Sequence, residues 1–298
     1  MAKSREIKRR MKAVGNIQRI TKTMQMIATA RYQAAYRVVT ESQAYARKIG
    51  ELVEELASSV AGDTEDQSIG HPLLRRSDSG DGRRLLLVIT SQRGLCGAYN
   101  ANVLRSAMTF LRESGDGPVD LEVVGKKGLA YFRFNQVPVT TNHSQFTDKP
   151  QFQEVEELAQ RYMGSFIDRI HESVHVAYMG FESMARQSPQ VEKLLPLSDP
   201  SAADEESALP KTTVEYDFSP DPESLLSELL PVSVKTKLYQ IFSEAILGEH
   251  IARMIAMKNA TDSAGKMGKQ LSLRFNRARQ AAITTELTEI ISGSAGLA

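Results

Sequence analysis

Residues 7–39 read IKRRMKAVGNIQRITKTMQMIATARYQAAYRVV, a stretch whose repeating pattern indicates the fold. One heptad row through it and beyond consists of Ile7, Val14, Thr21, Ala28, Ala35, Ser42, Ile49 and Leu56. Two more rows start three and four positions later, at Arg10 and Met11, and all three are mixed in character near Gln18 to Arg31. A period near 3.5 over this length predicts a coiled-coil helix over residues 1–60. Because Gly15 weakens a helix, a kinked pair of shorter helices stays open as an alternative.

The C-terminal end shows a second long helical pattern. All 11 prolines lie between Pro72 and Pro231, so neither end of the chain contains this helix breaker. A small-residue stripe runs from Leu238 to Ile255, and the same row then turns polar at Asn259, Asp262, Lys266 and Lys269. We predict a C-terminal coiled-coil helix within residues 221–298, antiparallel to the first. A polar interior would destabilise an isolated pair, so the pattern indicates burial inside a larger assembly.

The middle of the chain alternates strand and helix patterns. Residues 61–83 are rich in glycine and polar residues and are predicted to be a linker. The apolar run Leu85–Thr90 is typical of a strand that is buried on both faces. The alternation that follows predicts a central Rossmann-like α/β domain over residues 84–220, with an acidic excursion at 186–212. Further strands are predicted at 136–141, 174–181 and 213–218.

The central domain offers no convincing site for chemistry. The loop after the first strand contains Gly94 and Gly97 but lacks the spacing of a phosphate-binding loop, so we favour a tight turn. His171 and His175 are four residues apart, but His175 is predicted to begin a strand, which argues against a metal pair. Cys96, the one cysteine, is expected to be a small buried hydrophobe. We therefore expect no catalytic residue, no cofactor and no metal.

Charge is distributed unevenly along the chain. Residues 1–48 contain twelve lysines and arginines against only Glu6 and Glu41, although the whole chain has a formal net charge of +1. Such a run is either a solvated helix face or a surface that meets an acidic partner. A single cysteine fits a reducing compartment. No apolar stretch is long enough to be a secretory signal or to span a membrane.

Three motifs together resemble the gamma subunit of rotary F-type ATP synthases. They are residues 7–28, the segment SQRGLCG at 91–97, and a C-terminal block comprising EHIARM at 249–254, KNATD at 258–262 and NRARQAAITTELTEI at 276–290. The resemblance covers nearly the whole chain, and the two terminal motifs in combination are highly specific. It implies the fold expected above: a long antiparallel coiled coil of the terminal helices plus a central α/β domain.

The resemblance also implies a function without a catalytic site. In this family the helix pair is a central shaft inside the ring of alpha and beta subunits, and the α/β domain meets the epsilon subunit and the membrane-embedded c-ring. Rotation of the c-ring by protons is thereby coupled to ATP synthesis or hydrolysis. By match to the family, the contacts with the alpha/beta ring involve six residues: Lys22, Met24, Arg279, Gln280, Thr284 and Glu286.

The resemblance leads to an expected location, and the residues leave two other functions open. Without a convincing transit peptide, we expect a bacterial protein bound peripherally at the cytoplasmic face of the inner membrane. One alternative is a coiled-coil protein that binds nucleic acid, suggested by the basic N-terminus. The other is an α/β enzyme with helical arms, for which Gly94 and Gly97 are the only support.

Overall fold

The structure is a computed structural model that describes residues 2–62, 71–74, 82–113, 117–147, 150–197 and 221–295. Its internal contacts divide the chain into two compact units. Unit 1 comprises Met1–Arg31 and Ala252–Ala298, and unit 2 comprises Tyr32–Ile251. Two long helices, α1 (Ala2–Gly62) and α5 (Pro222–Ala295), each contribute residues to both units.

Unit 2 is built on a five-stranded sheet. The strands are β1 (Arg84–Ile89), β2 (Val119–Val124), β3 (Thr141–His143), β4 (Ser173–Phe181) and β5 (Gln187–Leu195). Their order is β3-β2-β1-β4-β5, with β1 to β4 parallel and β5 antiparallel to β4. The crossover helices are α2 (Tyr99–Glu113), α3 (Lys126–Phe134) and α4 (Phe152–Ile167). Parallel strands linked by helices confirm the predicted Rossmann-like α/β class.

The core of unit 2 joins one face of the sheet to the long helices. Leu85, Leu87 and Ile89 alternate along β1, so their side chains share one face, where they belong to a single buried cluster. The same cluster takes in residues of α4, α1 and α5: Val155, Leu158, Phe166, Ile49, Val53, Leu56, Leu226, Leu230, Val234, Leu238 and Ile241. The α2 and α3 helices cover the opposite face. Unit 2 thus holds a conventional two-sided core.

A buried carboxylate lies within the sheet of unit 2. Glu122 Oε2 is 2.7 Å from His143 Nε2 and accepts hydrogen bonds from Arg161 (2.7 Å) and from the hydroxyl of Tyr162 (2.6 Å). Burial raises the pKa of Glu122, but the bonds from His143 and Tyr162 and the charge of Arg161 outweigh it, so the net pKa is lowered. The network ties β2 to β3 and α4 and does not involve α1 or α5.

Unit 1 is an antiparallel pair formed by α1 and α5. The hydroxyls of Thr21 and Thr261 are hydrogen-bonded at 2.8 Å, and Gly265 faces the amide of Gln18. Further along, Val14 lines a shallow cleft with Leu271. Residue numbers fall on α1 as they rise on α5, which fixes the antiparallel direction predicted from the sequence.

The packed seam of α5 differs from the predicted row. Asn259, Asp262, Lys266 and Lys269 are all exposed. The least exposed positions follow 4-3 spacing instead: Met257, Thr261, Ala264, Gly268, Leu271, Phe275, Ala278 and Ala282. The observed seam continues from Leu247 and Ile251 rather than from Leu238, and residues 241–251 are buried on nearly every side, so the sequence does not show which row continues. The polar interior inferred from the sequence was therefore wrong.

The seam of α1 confirms two of the three predicted rows. In the row that begins at Ile7, Thr21, Ala28, Ile49 and Leu56 are buried. In the row that begins at Met11, Val39 and Val53 are buried. The row that begins at Arg10 is not part of the seam, because four of its apolar members are exposed: Ile17, Met24, Val38 and Tyr45. Two adjacent rows suffice for a two-helix interface, so the third faces outward.

Several elements in the middle of the chain lie at other residues than the sequence predicts. The strand expected at 136–141 is instead the short β3 at Thr141–His143. Part of the expected excursion is β5, which pairs with β4 as a hairpin. The strand expected at 213–218 lies outside the described residues. The α5 helix begins at Pro222 and continues through Pro231, and the nearby Leu230 and Val234 are fully buried in the core cluster.

Candidate partner-binding surface

An apolar stripe on α1 of unit 1 is uncovered. Its members are Ile17, Ile20, Met24 and Ile27, with exposed fractions of 52%, 59%, 39% and 45%. At 100° per residue, the 3-4-3 spacing places them on one face, about a quarter-turn from the seam. Aliphatic side chains in a continuous exposed row are typical of a surface that binds a partner.

A matching stripe lies near the C-terminal end of α5. Ile283, Leu287 and Ile290 are exposed and spaced 4-3, again displaced from the seam that ends with Ala278 and Ala282. Leu273, nearer the middle of the helix, is exposed as well. Within unit 1, both long helices thus carry a row of large apolar side chains outward.

The six residues predicted to contact a partner are all exposed and fall into two groups. Lys22 and Met24 lie on α1, and Met24 is a member of its apolar stripe. The other four lie on α5, interleaved with its stripe: Arg279, Gln280, Thr284 and Glu286. Thr284 donates its hydroxyl to the carbonyl of Gln280 at 3.0 Å, so that side chain is held against its own helix.

The two groups lie apart along unit 1. Thr21 is level with Thr261, which precedes Arg279 by 18 residues. At 1.5 Å per residue the separation is roughly 27 Å. The surface is therefore extended along the helix pair. The members Ile20 and Ile27 were not singled out from the sequence, although the 3-4-3 spacing of the stripe on α1 was a usable signal.

Unit 1 is strongly basic. It contains 16 lysines and arginines against 4 aspartates and glutamates, a formal net charge of +12. The rest of the chain contains 21 lysines and arginines against 32 aspartates and glutamates, a formal net charge of −11. Arg10 forms an exposed ion pair with Glu6, but acids are too few to neutralise the surface. Such a field attracts an acidic partner and speeds association with it.

The glycine-bearing loop after β1 is held by its own polar groups. The hydroxyl of Ser91 donates to the Arg93 carbonyl at 2.7 Å, and its backbone N–H donates to Asn100 Oδ1 at 3.0 Å. Asn100 in turn contacts the buried sulfur of Cys96 at 3.2 Å. Gly97 has φ of 57°, in the left-handed region that glycine tolerates. The loop is the tight turn that the sequence favoured.

The two histidines considered as a metal pair have separate partners. His171 Nε2 is 2.9 Å from Asp120 Oδ2, whereas the ring of His175 lies 4.7 Å from that of Phe110, centroid to centroid. Among the described residues no group of three or more histidine, cysteine or acidic side chains is arranged to hold a metal ion. Within the same ranges, none of the helices offers an apolar window long enough to cross a bilayer.

Comparison with known proteins gives one consistent family. The sequence profile described as ATP synthase matches residues 3–297. The gamma chain of ATP synthase from Rhodopirellula baltica is 40% identical, with 98% of each chain covered. The gamma chain from Moorella thermoacetica is 37% identical, with 100% of each chain covered.

Solved structures show the same fold. One similar chain belongs to the Euglena gracilis mitochondrial ATP synthase, solved as OSCP/F1/c-ring; it aligns with a TM-score of 0.64 and 19% identity. That alignment covers 99% of this chain and 95% of the other. A chain of the rotor of the same complex aligns with a TM-score of 0.60 and 18% identity, covering 95% and 99% of the two chains.

Proposed function

The chain belongs to the ATP synthase gamma-chain family, and on that premise we propose how its two units divide the work of a central stalk. Unit 1 is the part of the shaft that lies inside the ring of alpha and beta subunits. Unit 2 meets the epsilon subunit and the c-ring. The chain carries no catalytic site of its own. It couples rotation of the c-ring to ATP synthesis or hydrolysis on the alpha and beta subunits.

The exposed apolar stripes of unit 1 carry this proposal. Ile17, Ile20, Met24 and Ile27 gain hydrophobic free energy only when a partner covers them. Nucleic acid binds chiefly through charge on its phosphates, so a basic surface alone would suit it but an aliphatic row would not. A protein ring with apolar side chains and acidic segments matches both features.

The same surface suits a partner that must slide past. Apolar contact is non-directional, so it holds two surfaces together without fixing one angle between them. The net charge of +12 adds attraction that changes gradually with rotation. We assign six residues to this contact: Lys22, Met24, Arg279, Gln280, Thr284 and Glu286. Because the stripes occupy only part of the circumference, each of the three catalytic sites would meet a different side of the shaft.

Two further assignments belong to this proposal. The chain would divide into a coiled-coil helix at 1–60, a linker at 61–83, a central domain at 84–220 and a second coiled-coil helix at 221–298. The assembled complex would be bacterial, with this chain bound peripherally at the cytoplasmic face of the inner membrane. The bacterial origin of the two relatives above supports that location.

Reconstitution tests the proposal. Purified wild-type chain should restore ATP hydrolysis to purified alpha and beta subunits, and Met24→Glu should reduce that gain about tenfold or more, because it introduces a charge into an apolar contact. Thr23→Glu adds the same charge on an exposed face of α1 outside the stripe and should have a much smaller effect. No gain with the wild-type chain would contradict the function, and equal losses in the two variants would contradict the assigned surface.

A further inference from the structure

A second buried carboxylate of unit 2, that of Glu244, touches three elements at once. Its Oε1 accepts hydrogen bonds from the side-chain amides of Gln43 on α1 (3.2 Å) and Gln240 on α5 (2.9 Å). Its Oε2 accepts a bond from the backbone N–H of Phe181 at the end of β4 (3.2 Å). Only 6% of Glu244 is exposed. One side chain thereby links both long helices to the sheet.

Two neighbouring contacts hold α5 close to α2 and to the sheet. The hydroxyl of Tyr99, at the start of α2, donates to the carbonyl of Ala245 at 2.9 Å in a buried position. A methyl group at Gly248 would lie 3.2 Å from the side chain of Met179, so glycine allows β4 and α5 to approach closely. Around them Val39, Leu247 and Ile251 form a small apolar cluster.

Polar and apolar contacts resist different motions. The apolar cluster opposes separation of the helices from the sheet, but it is non-directional and tolerates sliding or turning of a helix. A buried carboxylate bonded in three directions cannot turn without leaving polar groups unpaired, which is costly in a buried site. The Glu244 contacts therefore restrain rotation of α1 and α5 against the sheet.

We propose that Glu244 is a positioning residue that makes the helix pair and the sheet of unit 2 turn as one body. This inference rests on the proposed function, in which torque enters through unit 2 and acts through unit 1. The same two helices continue into unit 1. If they did not turn together with the sheet of unit 2, part of the rotation of unit 2 would not be transmitted to unit 1. The loss would appear in coupling, since the catalytic sites themselves are on other subunits.

The experiment compares two activities of the assembled complex in inverted membrane vesicles. ATP-driven proton pumping is divided by ATP hydrolysis measured in the same vesicles. Glu244→Leu should lower this ratio about threefold or more while hydrolysis continues, because the directional bonds are lost. Glu244→Gln should stay near the wild-type ratio, because the amides of Gln43 and Gln240 can rotate to present either oxygen or nitrogen.

Glu122→Leu is the matched control. It removes another buried carboxylate of unit 2, whose partners His143, Arg161 and Tyr162 lie outside the long helices. An unchanged ratio in Glu244→Leu would overturn the inference, as would an equal fall in Glu122→Leu. Should Glu244→Leu fail to assemble, Gln43→Leu decides, since it cuts only the tie to α1 and an unchanged ratio there also overturns it. Failure of the wild-type chain to restore hydrolysis would instead refute the proposed function.

Discussion

Units 1 and 2 place their large apolar side chains in opposite directions. In unit 2, residues such as Leu87, Val176 and Leu230 are fully buried. In unit 1 small or polar residues such as Thr21, Ala28 and Ala264 share the seam with larger ones such as Leu271, while several isoleucines and leucines face outward. Unit 2 has the core of an ordinary domain, whereas unit 1 leaves large apolar side chains exposed, where a partner protein can bury them.

The difference shows that the same two helices serve two physical purposes. A seam with many small residues brings the helices close together but buries less apolar area than the core of unit 2, so it contributes less stability. The stability of unit 1 must then come partly from its partner through mass action. Burial within the chain should decide the stability of unit 2, and burial by other subunits should decide that of unit 1.

The largest expected effect tests burial directly. Leu87→Ala in unit 2 should lower the free energy of unfolding by about 2–5 kcal/mol, because it leaves a cavity in a fully buried site. Leu273→Ala in unit 1, where the side chain is 63% exposed, should change it by less than about 0.5 kcal/mol. Urea unfolding of the isolated chain followed by circular dichroism measures both. Equal losses would break the contrast between the units.

Acid should affect unit 2 selectively, because all five histidines lie within it. Burial, aided by the charges of Lys193 and Arg84, lowers the pKa of His175 from 6.5 to about 4. As the pH falls, His175 is protonated in the unfolded chain at a higher pH than in the folded chain. The stability that neutral His175 contributes is therefore complete above pH 6.5 and is lost as the pH falls to about 4. The loss amounts to up to about 3 kcal/mol.

The measurement is urea unfolding of the wild-type chain and His175→Asn between pH 4 and pH 7. Asparagine does not titrate, so the variant should lose less stability across this window than the wild type. Parallel pH curves for the two proteins would show that His175 does not set the acid sensitivity of unit 2.

The smallest effect concerns the seam of unit 1. Thr21→Val removes the hydroxyl that Thr261 contacts, but Thr261 keeps its bond to the Met257 carbonyl at 2.8 Å, so the loss should be about 0.5–1 kcal/mol. Amide hydrogen exchange near residue 21 should quicken about two- to fivefold. Thr23→Val, at an exposed position bonded only to its own helix, is the control. Equal exchange rates in the two variants would mean that the seam contributes nothing here.

The fold was largely predictable from local signals. The apolar run at β1 and the heptad row from Ile7 to Leu56 identified the sheet and the first seam, because buried strands and paired helices leave short, regular patterns. The second seam was missed, since the row from Leu238 was extended along the helix whereas the seam continues from the row of Leu247 and Ile251. The short β3 was displaced because only three residues pair there.

The candidate surface was only partly predictable. Lys22 and Arg279 came from the family resemblance, and both are exposed in the structure. The exposure of the stripe through Ile20 and Ile27 could not be predicted from the sequence. A row of isoleucines along a helix fits a buried face and an exposed face equally well. The wrong polar seam nevertheless led to the idea of burial in a larger assembly, which the outward stripes now support on different grounds.

The hydroxyl pair of Thr21 and Thr261 also determines the alignment of the two helices. A slip of α5 by one heptad would bring Gly268 or Met254 opposite Thr21, and neither offers a hydroxyl. The small residues of the seam would tolerate that slip, but the outer stripe of α5 would move about 10 Å along α1. The hydrogen bond between the two threonines thus favours one register of the helix pair. Through that register it sets the position of the exposed stripe of α5 relative to the exposed stripe of α1.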